Sequence, residues 1–405
     1  MGYFSWYPIF KESYSKKRVK ESLIVLTSFG LDGDGHIELQ AMTGELWWLD
    51  QVEVLHPYFG FSRDPDRNIG ISKQGFPSYD TDQLNPDDKK DVFRVAVFGG
   101  SFAKEVFFLT IEQIKGFFKQ YHANVEIVNC SIGGYKQPQQ LMVLNYLLAT
   151  GVDIDVVINI DGFNEVAIPY VENLQHGVSP FYPRNWITRA KNLNDPDEIR
   201  GIGKVEVLKG FRVSMARRIQ QMKLYRSPTL SLIWQLMDNR VKLHIAHATL
   251  KVNAIDARGA GFYVQGPPYS FQRESDLYQD LADLWMNSSL MMHAICQAKG
   301  IGYYHFLQPN QYFPDSKIIS YEERIMAYDL HHPYRDGVLK GYPYLRSQGR
   351  ILIDKGVRFR DLTDIFKNNS DTLYKDTCCH LNEIGYGIFV SKMFEYMAGF
   401  MESRP

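Results

Sequence analysis

The chain has 405 residues, 45% of them hydrophobic, 14% aromatic and 22% charged. That length leads one to expect two to three domains of about 150 residues, or one enlarged α/β domain, and the composition excludes a disordered or collagen-like chain. Lysine and arginine (45) balance aspartate and glutamate (46) to a formal net charge of −1, so nothing global favours a phosphate backbone and nucleic acid is not expected as a partner.

Residues 1–90 are irregular and punctuated by turn formers, and they read as an N-terminal extension. The run Asp32-Gly33-Asp34-Gly35 has the look of a calcium loop, but Thr43 stands where a bidentate glutamate should close the site, so a plain turn is expected. The apolar stretch from Leu23 to Leu31 falls well short of the roughly 20 residues a membrane span needs. The leader before it carries Glu12 and Glu21 and no small-residue cleavage site follows, so no integral membrane span is expected and a cytoplasmic location is favoured.

From Arg94 the texture changes. Val95-Ala96-Val97-Phe98 ends on Gly99-Gly100-Ser101 and passes into helical spacing through Phe107, Ile111, Ile114 and Phe118. A second strand, Val125 to Val128, leads through Gly133-Gly134 to a helix carrying Leu141, Leu144 and Leu148. A third, Val156 to Ile160, runs into Asp161-Gly162-Phe163-Asn164-Glu165. Continuously apolar strands alternating with helices predict a parallel sheet covered on both faces, the α/β class. Residues 166–275 interrupt the alternation and read as an inserted cap, with helix expected around Met215 to Met237. Alternation resumes with a helix near Ser275 to Lys299, a strand from Tyr303 to Leu307, another near Val357 to Phe359, and a closing helix after Leu381-Asn382-Glu383. The expected segments are thus 1–90, 91–165, 166–275 and 276–405, the second and fourth forming one core around a sheet of about five strands.

Ligands of doubly wound sheets bind beyond the carboxyl ends of the strands, so candidates for chemistry belong there. Ser101, Gly134 and Asn164 each follow a predicted strand. With these residues in view, the chain resembles the SGNH, or GDSL-like, hydrolases over residues 94–164 and 275–398. The blocks that carry the likeness are Val97-Phe98-Gly99-Gly100-Ser101-Phe102, Asn129-Cys130-Ser131-Ile132-Gly133-Gly134-Tyr135, Asp161-Gly162-Phe163-Asn164-Glu165, and Asp376 through Tyr386. Two softer similarities, His56 to Phe61 and Phe306 to Asn310, carry no assigned role.

The resemblance implies a three-layer α/β/α flavodoxin-like fold and ester hydrolysis through an acyl-serine intermediate, with no metal and no organic cofactor. The substrate it implies is a small-molecule or saccharide ester. It assigns Ser101 as nucleophile, His380 as base, and Ser101, Gly134 and Asn164 as oxyanion hole. The chemistry asks for the same residue types: a serine hydroxyl needs a base to take its proton, His380 is the histidine just before the terminal helix, Gly134 has no Cβ to block its N–H, and Asn164 donates without adding charge. Two departures from the family pattern stand out. Gly100 occupies the usual aspartate position, and Asp376 precedes His380 by four residues instead of three, leaving Asp376, Asp371 or a backbone carbonyl as the orienting acceptor, with Asp376 favoured. Acyl transfer through the same intermediate, or a binding module that keeps only the fold, are the alternatives.

Other residues receive plainer readings. The four cysteines (Cys130, Cys296, Cys378, Cys379) are too few for a disulfide framework and lack the C-x-x-C spacing of a structural zinc site; Cys130, Cys378 and Cys379 are expected to pack. Asp161 and Glu165 are expected as solvated loop carboxylates or helix caps. His244 and His247 lack a nearby acidic ligand, His331 and His332 read as loop, and Tyr58, Trp47 and Trp48 as core or edge aromatics.

Overall fold

A computed structural model of the protein describes residues 53–65, 71–77, 92–190, 196–222, 224, 227–253 and 261–401. The Asp32–Gly35 run with Thr43, the apolar stretch 23–31, and Trp47 and Trp48 lie outside these residues. Two short strands, β1 (Glu53–His56) and β2 (Gly60–Arg63), pair with each other. They precede five strands that form one sheet: β3 (Phe93–Gly99), β4 (Val125–Ser131), β5 (Val156–Asp161), β6 (Gly302–Leu307) and β7 (Arg358–Asp361).

The sheet order is β4-β3-β5-β6-β7 and every pairing is parallel. The chain order reverses between β3 and β5, the crevice where doubly wound sheets bind ligands. Gly99 is in register with Ser131 and with Ile160, and Asp161 with Leu307, so the strands end level and their following loops share one edge.

Helices cover both faces. Along β3, Val95 and Val97 point to one side, Ala96 and Phe98 to the other, as the two-residue strand period requires. The first side packs against α1 (Ser101–Lys119) and α9 (Glu383–Met401), through Phe102, Val106, Phe389, Val390 and Met393. The second packs against α2 (Gln139–Ala149), α3 (Phe163–Ile168), α6 (Glu274–Lys299) and α8 (Arg335–Asp354), through Leu144, Trp285 and Tyr342. Burying a large apolar side chain of this kind is worth about 1.5–3 kcal/mol. This is the expected three-layer architecture. Between α6 and α8 lies a single-turn-and-a-half helix, α7 (Tyr321–Met326).

The chain divides into two compact units, the layered one having the bounds Val54–Ser62, Ile71–Arg189 and Ala257–Pro405. The other contains α4 (Pro196–Gln221) and α5 (Pro228–Asn253), joined by an Arg212–Asp238 ion pair of 2.6 Å to which Lys242 adds a contact of 2.8 Å. His244 and His247 fall in α5, and His244 is exposed. Among the described residues no helix is long and apolar enough to cross a membrane.

Asp161 corrects one expectation. It is the last residue of β5 and only 2% exposed, not a solvated loop carboxylate. Its Oδ1 accepts from Trp285 Nε1 (2.6 Å) and lies 2.8 Å from His305 Nε2, while Oδ2 accepts from Asn159 Nδ2 (2.7 Å). His305 Nδ1 in turn lies 2.8 Å from Ser289 Oγ. This serine–histidine–aspartate line ties β5, β6 and α6 together inside the core, where Ser289 and His305 are wholly buried. Removing the carboxyl group in Asp161→Ala strands several buried donors at once, each costing about 1–3 kcal/mol. We expect that variant to lose about 3 kcal/mol or more of unfolding free energy in a denaturant titration, with a lowered melting temperature.

Candidate active site

Ser101 opens α1 directly after β3. The N-cap, Gly100, is extended and offers no side-chain acceptor, so the first-turn amides, which have no intrahelical partner, stay available to a ligand. Ser101 Oγ lies 2.8 Å from His380 Nε2, and His380 Nδ1 lies 2.5 Å from Asp376 Oδ2. Residues 279 apart in the sequence thus meet in one hydrogen-bonded line at the carboxyl edge of the sheet. The His380 side chain is 12% exposed, so unlike the Ser289 line this one reaches solvent.

The Asp376 carboxylate also accounts for the four-residue spacing. Its Oδ1 accepts from three consecutive amides, Cys378 (2.9 Å), Cys379 (3.1 Å) and His380 (3.2 Å). One side chain therefore shapes the turn and orients the imidazole. Asp371 does neither; its carbonyl accepts from Lys317 Nζ. Burial of Asp376 opposes ionisation, but the His380 charge and these donors hold its carboxyl at about 2. Burial likewise disfavours the imidazolium, yet the Asp376 carboxylate, with Glu105 behind it, raises His380 to about 10.

Three loops crowd around the serine. Asn164 sits in the first turn of α3 and donates one Nδ2 hydrogen to the Tyr135 carbonyl (2.7 Å), which leaves the amide's second hydrogen to another acceptor. A Cβ on Gly100 would stand 2.2 Å from that same Nδ2, so Gly100 is glycine because Asn164 occupies its side-chain space. A Cβ on Gly133 would stand 3.8 Å from the Ser101 Cβ, and Gly134 takes φ +82°, a conformation that favours glycine. Ser101, Gly134 and Asn164 are thereby brought to one edge, as expected from their places after β3, β4 and β5.

Glu165 fulfils its capping expectation: Oε2 accepts from the Gly162 N–H (2.7 Å) and Oε1 from the Gln137 N–H (3.0 Å), tying the start of α3 to the loop after β4. Burial, with Asp161 nearby, pushes its carboxyl up to about 8. Cys130 is buried as expected, and Tyr58 is exposed at the edge, its ring against His56 and Tyr146.

Several supporting residues escaped sequence reasoning. The loop after β6 holds the carbonyls of the 376–378 segment one by one: Gln311 Nε2 donates to Asp376 (2.9 Å), Tyr312 OH to Thr377 (2.8 Å) and Asn310 Nδ2 to Cys378 (3.1 Å). On the other side, Tyr135 OH donates to the Phe61 carbonyl (2.5 Å) and Gln139 Nε2 to Phe59 (2.9 Å). The two soft similarities, His56–Phe61 and Phe306–Asn310, thus fall on or beside segments that brace the loops. Arg184 lays its Cδ where a Cβ of Gly134 would be, and its Nε donates to Glu172 (2.7 Å), which also accepts from Tyr334 OH. Both similarities fall near these partners, yet neither revealed a contact, because each contact joins segments far apart in the chain.

Gly100→Asp drives a side chain into the Asn164 amide. We expect it to fold and to lose at least about tenfold in any turnover that depends on the Asn164 donor, since removing one such donor costs about 2.7–4 kcal/mol of barrier stabilisation. Comparing its initial rates with those of Asn164→Ala checks this, because the double variant should be no worse than Asn164→Ala.

No protein-family model and no curated protein matches the chain. Among solved structures it is similar to a GDSL-like lipase from Bacteroides thetaiotaomicron VPI-5482, at 11% identity and a TM-score of 0.35, over 79% of this chain and 92% of that one. A likeness of that extent carries no argument about chemistry, which rests on the residues themselves.

Proposed function

We propose that the protein is a serine hydrolase of the SGNH type that cleaves carboxylic esters of small molecules or saccharides through an acyl-serine intermediate. The observation that carries this reading is the line Ser101 Oγ–His380 Nε2–Asp376 at 2.8 and 2.5 Å, open to solvent at the carboxyl edge of the sheet. In its neutral form His380 takes the Ser101 proton as Oγ attacks the acyl carbon, and Asp376 stabilises the resulting imidazolium. The negative charge that develops on the carbonyl oxygen meets the Ser101 and Gly134 N–H groups and the second Asn164 hydrogen. His380 then protonates the departing alcohol, and water, activated by the same base, releases the acid.

The two departures that favour a binding-only reading each have a physical account. Gly100 makes room for Asn164, and the longer spacing before His380 lets Asp376 accept from three amides. The buried Ser289–His305–Asp161 line is a poor rival, because an ester carbonyl has no path to a hydroxyl that is wholly enclosed.

A fluorophosphonate probe should label Ser101 in the folded wild type, fail on Ser101→Ala, and still label Ser289→Ala. Both Ser101→Ala and His380→Ala should abolish turnover of an ester panel that includes acetylated saccharides, with unfolding transitions near wild type. Labelling that persists in Ser101→Ala would overturn the reading. Product analysis with and without an alcohol acceptor distinguishes hydrolysis from acyl transfer.

The pH profile follows from the pair. A raised imidazolium pKa means that the base form gains population as pH rises, so kcat/KM should climb from neutral into alkaline solution. Asp376→Asn removes the charge that holds the proton, so the acid limb should move to lower pH while the plateau falls, a partial loss. A profile measured with an ester whose leaving group needs no protonation checks both shifts.

A further inference from the structure

Cys378 and Cys379 stand immediately before the proposed base, both free thiols, the first half-buried and the second buried. Their sulfurs are 3.7 Å apart. That separation is far from the 2.05 Å or so of a disulfide. It is the separation of two sulfurs on a tetrahedral zinc ion, since Zn–S bonds of about 2.3 Å put the pair about 3.8 Å apart. The two sulfurs and a ring nitrogen of His380 all lie within 4.8 Å of one another. Nothing in the backbone need move far to present them: the amides of 378 to 380 are held by Asp376, and the carbonyls of 377 and 378 by Tyr312 and Asn310.

We propose that Cys378, Cys379 and His380 form a binding site for a soft divalent cation, zinc above all, and that occupancy switches off the base. Thiolate and imidazole donors select such an ion over magnesium or calcium. Each thiol releases its proton to solvent as its sulfur takes the metal. A water completes the four-coordinate shell. If the metal takes Nε2, it displaces the hydrogen bond to Ser101; if it takes Nδ1, it displaces Asp376. Either removes general-base help, so the ion is an inhibitor and not a participant in the reaction. The inhibitory half rests on the reading of Ser101 and His380 given above, while the binding half stands on the geometry alone.

The full-length chain, freed of metal with EDTA, is titrated with Zn2+ by calorimetry and with Co2+ by absorption, and ester turnover is followed in parallel. The expected result is one Zn2+ per chain, a thiolate-to-cobalt charge-transfer band in the near ultraviolet, and loss of turnover that EDTA reverses. Cys378→Ser should keep its metal-free turnover, bind Zn2+ at least about tenfold more weakly and tolerate Zn2+ concentrations that silence the wild type. Ser101→Ala should bind Zn2+ as the wild type does. Absence of the charge-transfer band in the wild type, or undiminished Zn2+ affinity in both Cys378→Ser and Cys378→Ala, would overturn the proposal. A metal-dependent band in a chain that neither turns over esters nor takes the fluorophosphonate probe would leave the metal site standing and sink the hydrolase reading instead.

Discussion

The carboxylate of Asp376 is the joint on which the candidate site depends. One oxygen satisfies three successive backbone amides, and the other meets the imidazole. A group so fully engaged is held ionised against the cost of its own burial, and it fixes a stretch of chain that has no regular secondary structure. The histidine is therefore delivered to the serine by a turn built around its own charge partner. Orientation and electrostatics come from the same atoms, so a change in one is a change in the other.

That turn is itself suspended from the fold. The chain just before it, at Leu373 and Tyr374, donates both amides to Glu323 Oε1, and the other carboxylate oxygen of Glu323 pairs with Lys317 at 2.9 Å. Both ionic side chains are essentially inaccessible to solvent. A buried pair of this kind gives geometric definition more surely than net stability, and here its carboxylate is also spent on backbone donors, which fixes the approach of the 373–380 segment. The loop after β6 supplies the opposite clamp through Asn310, Gln311 and Tyr312. Precision at the serine therefore draws on polar residues that never face it.

The two serine–histidine–aspartate lines differ in role for a reason of position. Asp161 closes β5 and points into the face covered by α6, where Trp285 and His305 enclose it. Asp376 lies in a loop at the sheet's edge, with its imidazole partly open. The same three side-chain types thus act as a structural network in one place and as a candidate catalytic device in the other. Access to solvent, not composition, separates them.

The layered architecture was legible early. Strand and helix periods are local, and Val95–Phe98, Val125–Val128, Val156–Ile160 and Tyr303–Leu307 announce a covered parallel sheet without reference to anything distant. In such a sheet the carboxyl ends share an edge, so Ser101, Gly134 and Asn164 could be placed together from their positions after strands. The meeting of Ser101 with His380, the choice of Asp376 over Asp371 and the need for glycine at position 100 were matters of through-space contact. So were the burial of Asp161, the 3.7 Å approach of two sulfurs and the bracing by Gln311 and Arg184. Local pattern encodes which face of an element is apolar, but it holds no record of which polar atoms from remote segments will share a dielectric-poor space, and that sharing sets each group's partners and charge.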